Sequence, residues 1–250
     1  MRNPDVHWYE GLFLLPQHVQ SLERHRNEVT QTSEQWNHPY NYGLRTFEFS
    51  REALANNQFE VRTLQARLRD GTLVDLNGGE ALDRLDVKGD LRVAAAKAGL
   101  EDAFSKETVV QVYVGVPRLQ LGRENVTKPG TPGDARWVET RMEVDDENRS
   151  NKAKEVQFRR LNVRLLLSTQ DLSGYEVLPI AQIKRASEGE AAPQLDDSYI
   201  PPLLAIDAWP GLGRDIVRAI YDMLGQKIEV LSQQVVNRGL SRDARDPGDA

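Results

Sequence analysis

All four histidines of this 250-residue chain, His7, His18, His25 and His38, fall within its first forty residues. Imidazoles gathered in one stretch raise metal binding and acid–base catalysis as chemistries to weigh. His18 and His25 are seven residues apart, so a helix would put them on roughly one face but about 10.5 Å apart. That is too far for one tetrahedral ion, and a structural or solvent-facing role is expected. The carboxylate pairs Asp83/Asp86 and Asp196/Asp197 sit in turn-like stretches. Nothing around them in sequence is apolar enough to drive two pKa values apart, as acid–base work requires. The run Asp145-Asp146-Glu147-Asn148 lacks the glycine and distal glutamate of an EF-hand loop. Gly211-Leu212-Gly213 opens a helix without the preceding strand or third glycine of a dinucleotide loop. Gly122-Arg123-Glu124 and Asn125-Val126-Thr127 suggest no mechanism. No catalytic residue, metal site or cofactor is expected, and the chain reads as a non-enzyme.

Composition narrows the class further. A chain that is 39% hydrophobic and 28% charged, with net charge −6, is globular and has ample length for a core. Its acidic balance argues against nucleic acid, which needs a clustered basic face. No apolar run approaches the roughly 20 residues of a membrane span, and Asp5, His7 and Glu10 interrupt any leader-like start. Cysteine is absent, which excludes disulfides and thiolate metal sites. A cytoplasmic protein fits these features.

The elements that position these residues begin with an unusual apolar end. Trp8-Tyr9-Glu10-Gly11-Leu12-Phe13-Leu14-Leu15-Pro16-Gln17-His18 carries more aromatic and aliphatic surface than a fraying terminus can hide, so it needs a partner surface. Pro16 reads as the first helical position. From there Val19, Leu22, Val29 and Trp36 form a narrow stripe on a mostly polar helix. Such a helix either lies against a sheet or packs between subunits.

Turns and short strands follow. Leu44–Phe49 alternates Leu44/Thr46/Glu48 against Arg45/Phe47/Phe49, and Asn56-Asn57 makes a turn. Asp70-Gly71 suits a two-residue hairpin loop that places Leu68 opposite Leu73. The stretch from Asn77 to about Glu107, with Ala94-Ala95-Ala96, suggests an edge strand and loop. Val109–Val116 is a strong strand with Val110, Val112, Val114 and Val116 on one face, closed by Pro117. Val138, Thr140, Met142 and Val144 alternate in another. Val156 and Phe158 share one phase and Leu161, Val163, Leu165 and Leu167 the other, which suggests a β-bulge at Arg159-Arg160. Tyr175–Ile183 carries Pro179, suited to an edge or bulge. Arg67, Arg69, Arg159 and Arg160 alternate with apolar residues as solvent-facing side chains would. Strands at this spacing predict a mainly β chain built on an antiparallel sandwich.

The organisation is therefore residues 1–36 as an extension and helix, 37–186 as the β-sandwich, and 187–210 as a linker. Residues 211–237 form an amphipathic helix and 238–250 a disordered tail. In that helix Val217, Ile220, Leu224, Ile228, Leu231 and Val235 step by three or four, widened by Ile216 and Tyr221. One helix cannot bury this stripe by itself. It must pack on the sandwich, on further helices, or on copies of itself.

The pattern Trp8, Glu10, Gly11, Leu14, Pro16, Gln17, His18 resembles the amino terminus of the TssK family, baseplate subunits of the bacterial type VI secretion system. Tyr42-Gly43-Leu44, Asp70-Gly71, Val112-Tyr113-Val114, Leu178-Pro179-Ile180 and Ile200-Pro201-Pro202 look like the same family. The resemblance implies a sandwich like the shoulder domain of phage receptor-binding proteins, followed by a trimerising helical bundle. It also implies docking onto the wedge formed by TssF and TssG. Contact with the membrane-complex proteins TssL, TssM and TssJ would come through a carboxy-terminal region beyond this chain, because family members are much longer.

On that reading Trp8, Phe13 and Leu14 fill grooves on the wedge, as aromatic anchors do. Glu10, Gln17 and His18 fix orientation, and Gly11 and Pro16 belong to the same docking set; Val217, Ile220, Leu224, Ile228 and Leu231 form the trimer core. The opposing expectation for the opening segment is an edge strand on its own sandwich. The competing function is a phage-like receptor- or carbohydrate-binding sandwich, whose aromatic platform would be Trp137 with Tyr113.

Overall fold

A computed structural model describes residues 3–56, 58–76, 100, 102–131, 133–185 and 193–238. Helix α1 (Pro16–Asn37) starts with Pro16 in its first turn, where the missing N–H costs nothing. Strand β1 (Gly43–Phe49) leads into a short helix, α2 (Arg51–Ala55), then β2 (Val61–Arg67) and β3 (Leu73–Leu76). These three strands form one antiparallel sheet in the order β1-β2-β3. Next come β4 (Val109–Pro117), β5 (Val126–Thr127), β6 (Trp137–Asp146), β7 (Arg149–Leu161), β8 (Arg164–Leu167), β9 (Tyr175–Lys184) and β10 (Gln194–Leu195). A second sheet has the order β10-β9-β4-β8, and β5-β6-β7 make a third.

The first two sheets enclose one contiguous core. Leu44, Leu64, Leu68 and Val74 from the first sheet join Val110, Val112, Val114, Val116, Leu178, Ile180 and Ile183 from the second. The valine alternation of β4 fills this core as the sequence predicts, each such side chain contributing about 1.5–3 kcal/mol. Pro179 also falls where its chemistry allows. The β4–β9 register steps from Val112↔Ala181 to Tyr113↔Pro179, so a bulge absorbs the missing N–H. On its other side β9 pairs with β10 only at Ile183 and Lys184.

Several expectations need correcting. Leu68 N–H donates to Thr72 O, and Gly71 has φ +83°, so the hairpin loop is Arg69-Asp70-Gly71, a turn plus glycine bulge. Leu73 therefore pairs with Arg67 rather than Leu68. Leu68 is buried, whereas Leu73 is 68% exposed. The β6–β7 register runs unbroken through Arg159 and Arg160, so no bulge lies there. The phase changes because the chain leaves the third sheet at Asn162 and enters the second as β8. Asn162 holds that crossing, its N–H donating to Arg136 O and its side-chain amide to Ala135 O, both at 2.9 Å.

A bulge at Arg45 brings Leu44 and Phe47 onto the same face of β1, which simple alternation did not foresee. Ser50 caps α2 by accepting from Ala53 N, a helix too short to show a period. Asn56 caps its other end; Asn57, Asp83, Asp86 and the alanine run at 94–96 lie outside the described residues, and residues 102–106, expected as edge strand or loop, are helical instead.

Much of the segment expected as a linker completes the sandwich. Leu44 N donates to Pro202 O at 2.9 Å, and Leu204 N donates to Leu44 O at 2.8 Å. Trp209 is buried and stacks on Phe47. A wide π-helical stretch, Gly211–Val217, then runs into α3 (Arg218–Arg238).

Candidate functional site: a docking surface

Residues 3–15 form no strand and do not join the sandwich edge. They fold back along α1 instead. Asn3 donates from its backbone N–H and its side-chain amide to Glu28 Oε2, at 2.8 and 2.9 Å. His25 Nδ1 lies 2.9 Å from the Asn3 carbonyl; a carbonyl only accepts, so that nitrogen carries the proton. Leu12 N donates to Tyr9 O across a turn in which Gly11 has φ +86°, a conformation suited to glycine. At the start of α1, His18 Nδ1 accepts from Leu15 N at 3.1 Å, filling the reciprocal role of a capping box. The Trp8 ring tilts over the His18 ring at 6.4 Å.

This arm holds its apolar side chains outward. Trp8, Phe13 and Leu14 are 49%, 80% and 59% exposed, and Glu10, Gly11, Pro16 and Gln17 are exposed as well. Most of the predicted stripe of α1 behaves likewise: Val19, Val29 and Trp36 are exposed, and Leu22 is half-buried. The half-buried side of the helix carries Ser21, His25, Glu28 and Thr32 with a single apolar residue, Leu22, so α1 meets the body through a mostly polar face.

Arginines that the sequence assigns to solvent make that contact. Arg67 pairs with Glu34 and donates to Gln31 Oε1. Gln31 Nε2 donates to Arg69 O at 3.1 Å. Arg159 donates to both carboxylate oxygens of Glu23 at 2.6 and 2.7 Å, and lies over the Trp137 ring at 4.3 Å. Their alternation with apolar residues is that of exposed strand positions, and no sequence signal reveals the helix opposite. Trp137 also has Arg136 over its ring at 5.6 Å, and Tyr113 donates its hydroxyl to Gln111. The proposed sugar platform is thus occupied by neighbouring side chains.

The remaining expected sites separate. No group of three or more histidine or acidic side chains able to hold a metal occurs among the described residues. Asp196 is buried and accepts from Ser198, Lys184 and Gln182, and these bonds, Ser198 first, hold its carboxyl down at about 2. On α3, Val217, Ile220, Leu224, Ile228 and Leu231 are all exposed, as is every residue from 214 to 236. No helix among the described residues is long and apolar enough to cross a membrane.

An exposed apolar arm, a polar-backed helix and a bare amphipathic shaft on a β-sandwich define an assembling protein. The chain belongs to the family described as Bacterial Type VI secretion, VC_A0110, EvfL, ImpJ, VasE, whose pattern matches residues 18–249. It is similar to the type VI secretion system baseplate component TssK1 of Pseudomonas aeruginosa strain PAO1, at 25% identity over 236 residues, covering 94% of this chain and 49% of that protein. The chain thus spans about half the length of the curated relative it matches. A crystal structure of TssK superposes with a TM-score of 0.74 at 22% identity, over 94% of this chain and 50% of that one. TssK in a cryo-electron microscopy structure of the TssK-TssF-TssG baseplate subcomplex gives 0.70 at 20% identity, over 94% and 74%. Those likenesses establish a shared fold.

Proposed function

We propose that this chain is a structural adaptor of the type VI secretion baseplate, working at the inner face of the bacterial envelope without catalysis. The observation that carries this reading is the arm, tied to α1 at Asn3 and capped by His18 while Trp8, Phe13 and Leu14 stay exposed. Pre-ordering a segment lowers the entropy lost on binding, and clustered exposed aromatics fit interface anchors. The TssF–TssG wedge is the partner, by analogy with the TssK-TssF-TssG subcomplex that shares the fold. Glu10, Gln17 and His18 orient the contact. The shaft α3 trimerises through Val217, Ile220, Leu224, Ile228 and Leu231, and the sandwich serves as a shoulder of the phage receptor-binding type. Contact with TssL, TssM and TssJ is left to the part of the longer relatives that this chain does not span.

The test is co-purification with a TssF–TssG wedge, comparing the intact chain with one lacking residues 1–18 and with Trp8→Ala/Phe13→Ala. Capture that depends on the arm, with an unchanged unfolding midpoint, supports docking. Arm-independent capture, or none from a folded trimer, removes the arm from the interface.

A further inference from the structure

At the carboxy-terminal end of α1, Glu34, His38, Tyr40, Tyr42, Arg67 and Arg69 surround a cleft of 230 Å³. Sites for drug-sized ligands run about 300–1,000 Å³, so this one suits a side chain or two from another protein. We propose that it is a docking site for an acidic segment of a partner protein, its carboxylate taken by Arg69 and its flanking residues seated against Tyr40.

The charge of the cleft supports this occupant. Two guanidiniums, Arg67 and Arg69, share the cleft with one carboxylate, Glu34, and Glu34 is engaged by Arg67. Arg67 keeps a buried Nε with no hydrogen-bond partner among the described residues. Arg69 forms no ion pair and no side-chain hydrogen bond there; its guanidinium lies over the Tyr42 ring at 4.8 Å. An arginine stacked flat on an aromatic ring still has its edge N–H groups for a bidentate carboxylate. Its backbone does not wander either, because Gln31 holds the Arg69 carbonyl. In a chain of net charge −6, a locally cationic cleft selects acidic segments against the protein's general field.

The lining supplies the rest. Tyr40 is 82% exposed, and tyrosine and arginine are among the residue types that dominate binding hot spots. The arm's Trp8 lies at His18, 13 residues or about 20 Å along α1 from Gln31 of the cleft, so the cleft is a distinct contact on the same helix.

Panning a random short-peptide display library against the folded chain tests the site without assuming a partner. Recovered peptides are expected to carry Asp or Glu beside an apolar residue. Their binding should fall about tenfold, or about 1.4 kcal/mol, on Arg69→Ala or Tyr40→Ala, with Arg69→Lys intermediate and Trp8→Ala/Phe13→Ala unchanged. Arg69 and Tyr40 are exposed, and matching urea midpoints verify the fold of each variant. Recovery of no peptide, of peptides without acidic residues, or of binding that survives Arg69→Ala overturns the site. Loss on Trp8→Ala/Phe13→Ala overturns it too by moving the contact to the arm, whereas failure of wedge capture alone leaves it standing.

Discussion

Arg159 of β7 grips Glu23 of α1, 136 residues earlier in the chain, through both carboxylate oxygens, while its guanidinium lies on Trp137. The helix that carries the arm is thereby fixed to the third sheet by charge rather than by buried apolar surface.

That arrangement predicts a salt-sensitive helix. The pair is partly exposed, so it contributes about 0.2–1 kcal/mol, with about 0.5–1 kcal/mol from the cation–π contact. Arg159→Ala should leave the global unfolding midpoint nearly unchanged but lower hydrogen-exchange protection across residues 16–37. Salt at about 1 M, where the Debye length falls to about 3 Å, should do the same to the parent and little more to the variant. Equal protection in both proteins at low salt would show that Arg159 does not hold the helix.

Gly71 has φ +83°, and a Cβ there would lie 1.9 Å from Gln31 Oε1. Gly71→Ala meets both a left-handed backbone, costing about 1–2 kcal/mol, and a collision with the Gln31 side chain. The expected loss in urea unfolding is about 2 kcal/mol or more. Adding Gln31→Ala should relieve the collision and restore part of the loss, leaving the backbone share. A double variant no better than the single would mean that the side-chain contact contributes nothing.

Acid should act on Asp196. Its carboxyl is held at about 2 in the folded chain, by Ser198 and then Lys184, against about 3.9 when unfolded. The folded state therefore binds the proton less readily. Its contribution is complete above about pH 4 and is lost as pH falls from about 4 to 2. Asp196→Asn should flatten that part of the stability–pH curve, read from urea midpoints between those limits. An unchanged slope would show that Asp196 is not the group involved.

The shaft gives a test of assembly. Leu224→Asp places a charge in the middle of the exposed α3 stripe, and light scattering should report the mass falling from three chains to one. Because Leu224, like every residue from 214 to 236, is exposed, the sandwich should keep its unfolding midpoint. A mass that does not change removes the stripe from the trimer core.

The parts legible in the sequence are those where one periodicity meets one environment. The valines of β4 alternate into a single core, and α3 shows a stripe because nothing in the chain interrupts it. The arm's surplus of apolar surface was legible as well, but not whether its own sandwich would cover it. Legibility failed where two geometries leave one pattern. Asp70-Gly71 fits a two-residue loop and a glycine-bulged three-residue loop equally, and a strand changing sheets at Asn162 shifts phase as a bulge would. It failed also where charge does structural work: Arg67 and Arg159 read as solvated residues, although each closes a contact with α1. Trp209, far along the chain from Phe47, gave no local sign that it would stack there.

The root of α3 has a mechanical consequence. The shaft extends about 30 Å at 1.5 Å per residue, with its side chains through residue 236 clear of the sandwich. Leu212 and Gly213 both donate to the carbonyl of Trp209, itself seated in the core. A pull or twist applied at the far end therefore enters the β-sheets through the short stretch Ala208 to Leu212, with the buried indole of Trp209 as the fulcrum of a lever whose stiffness is set at its base.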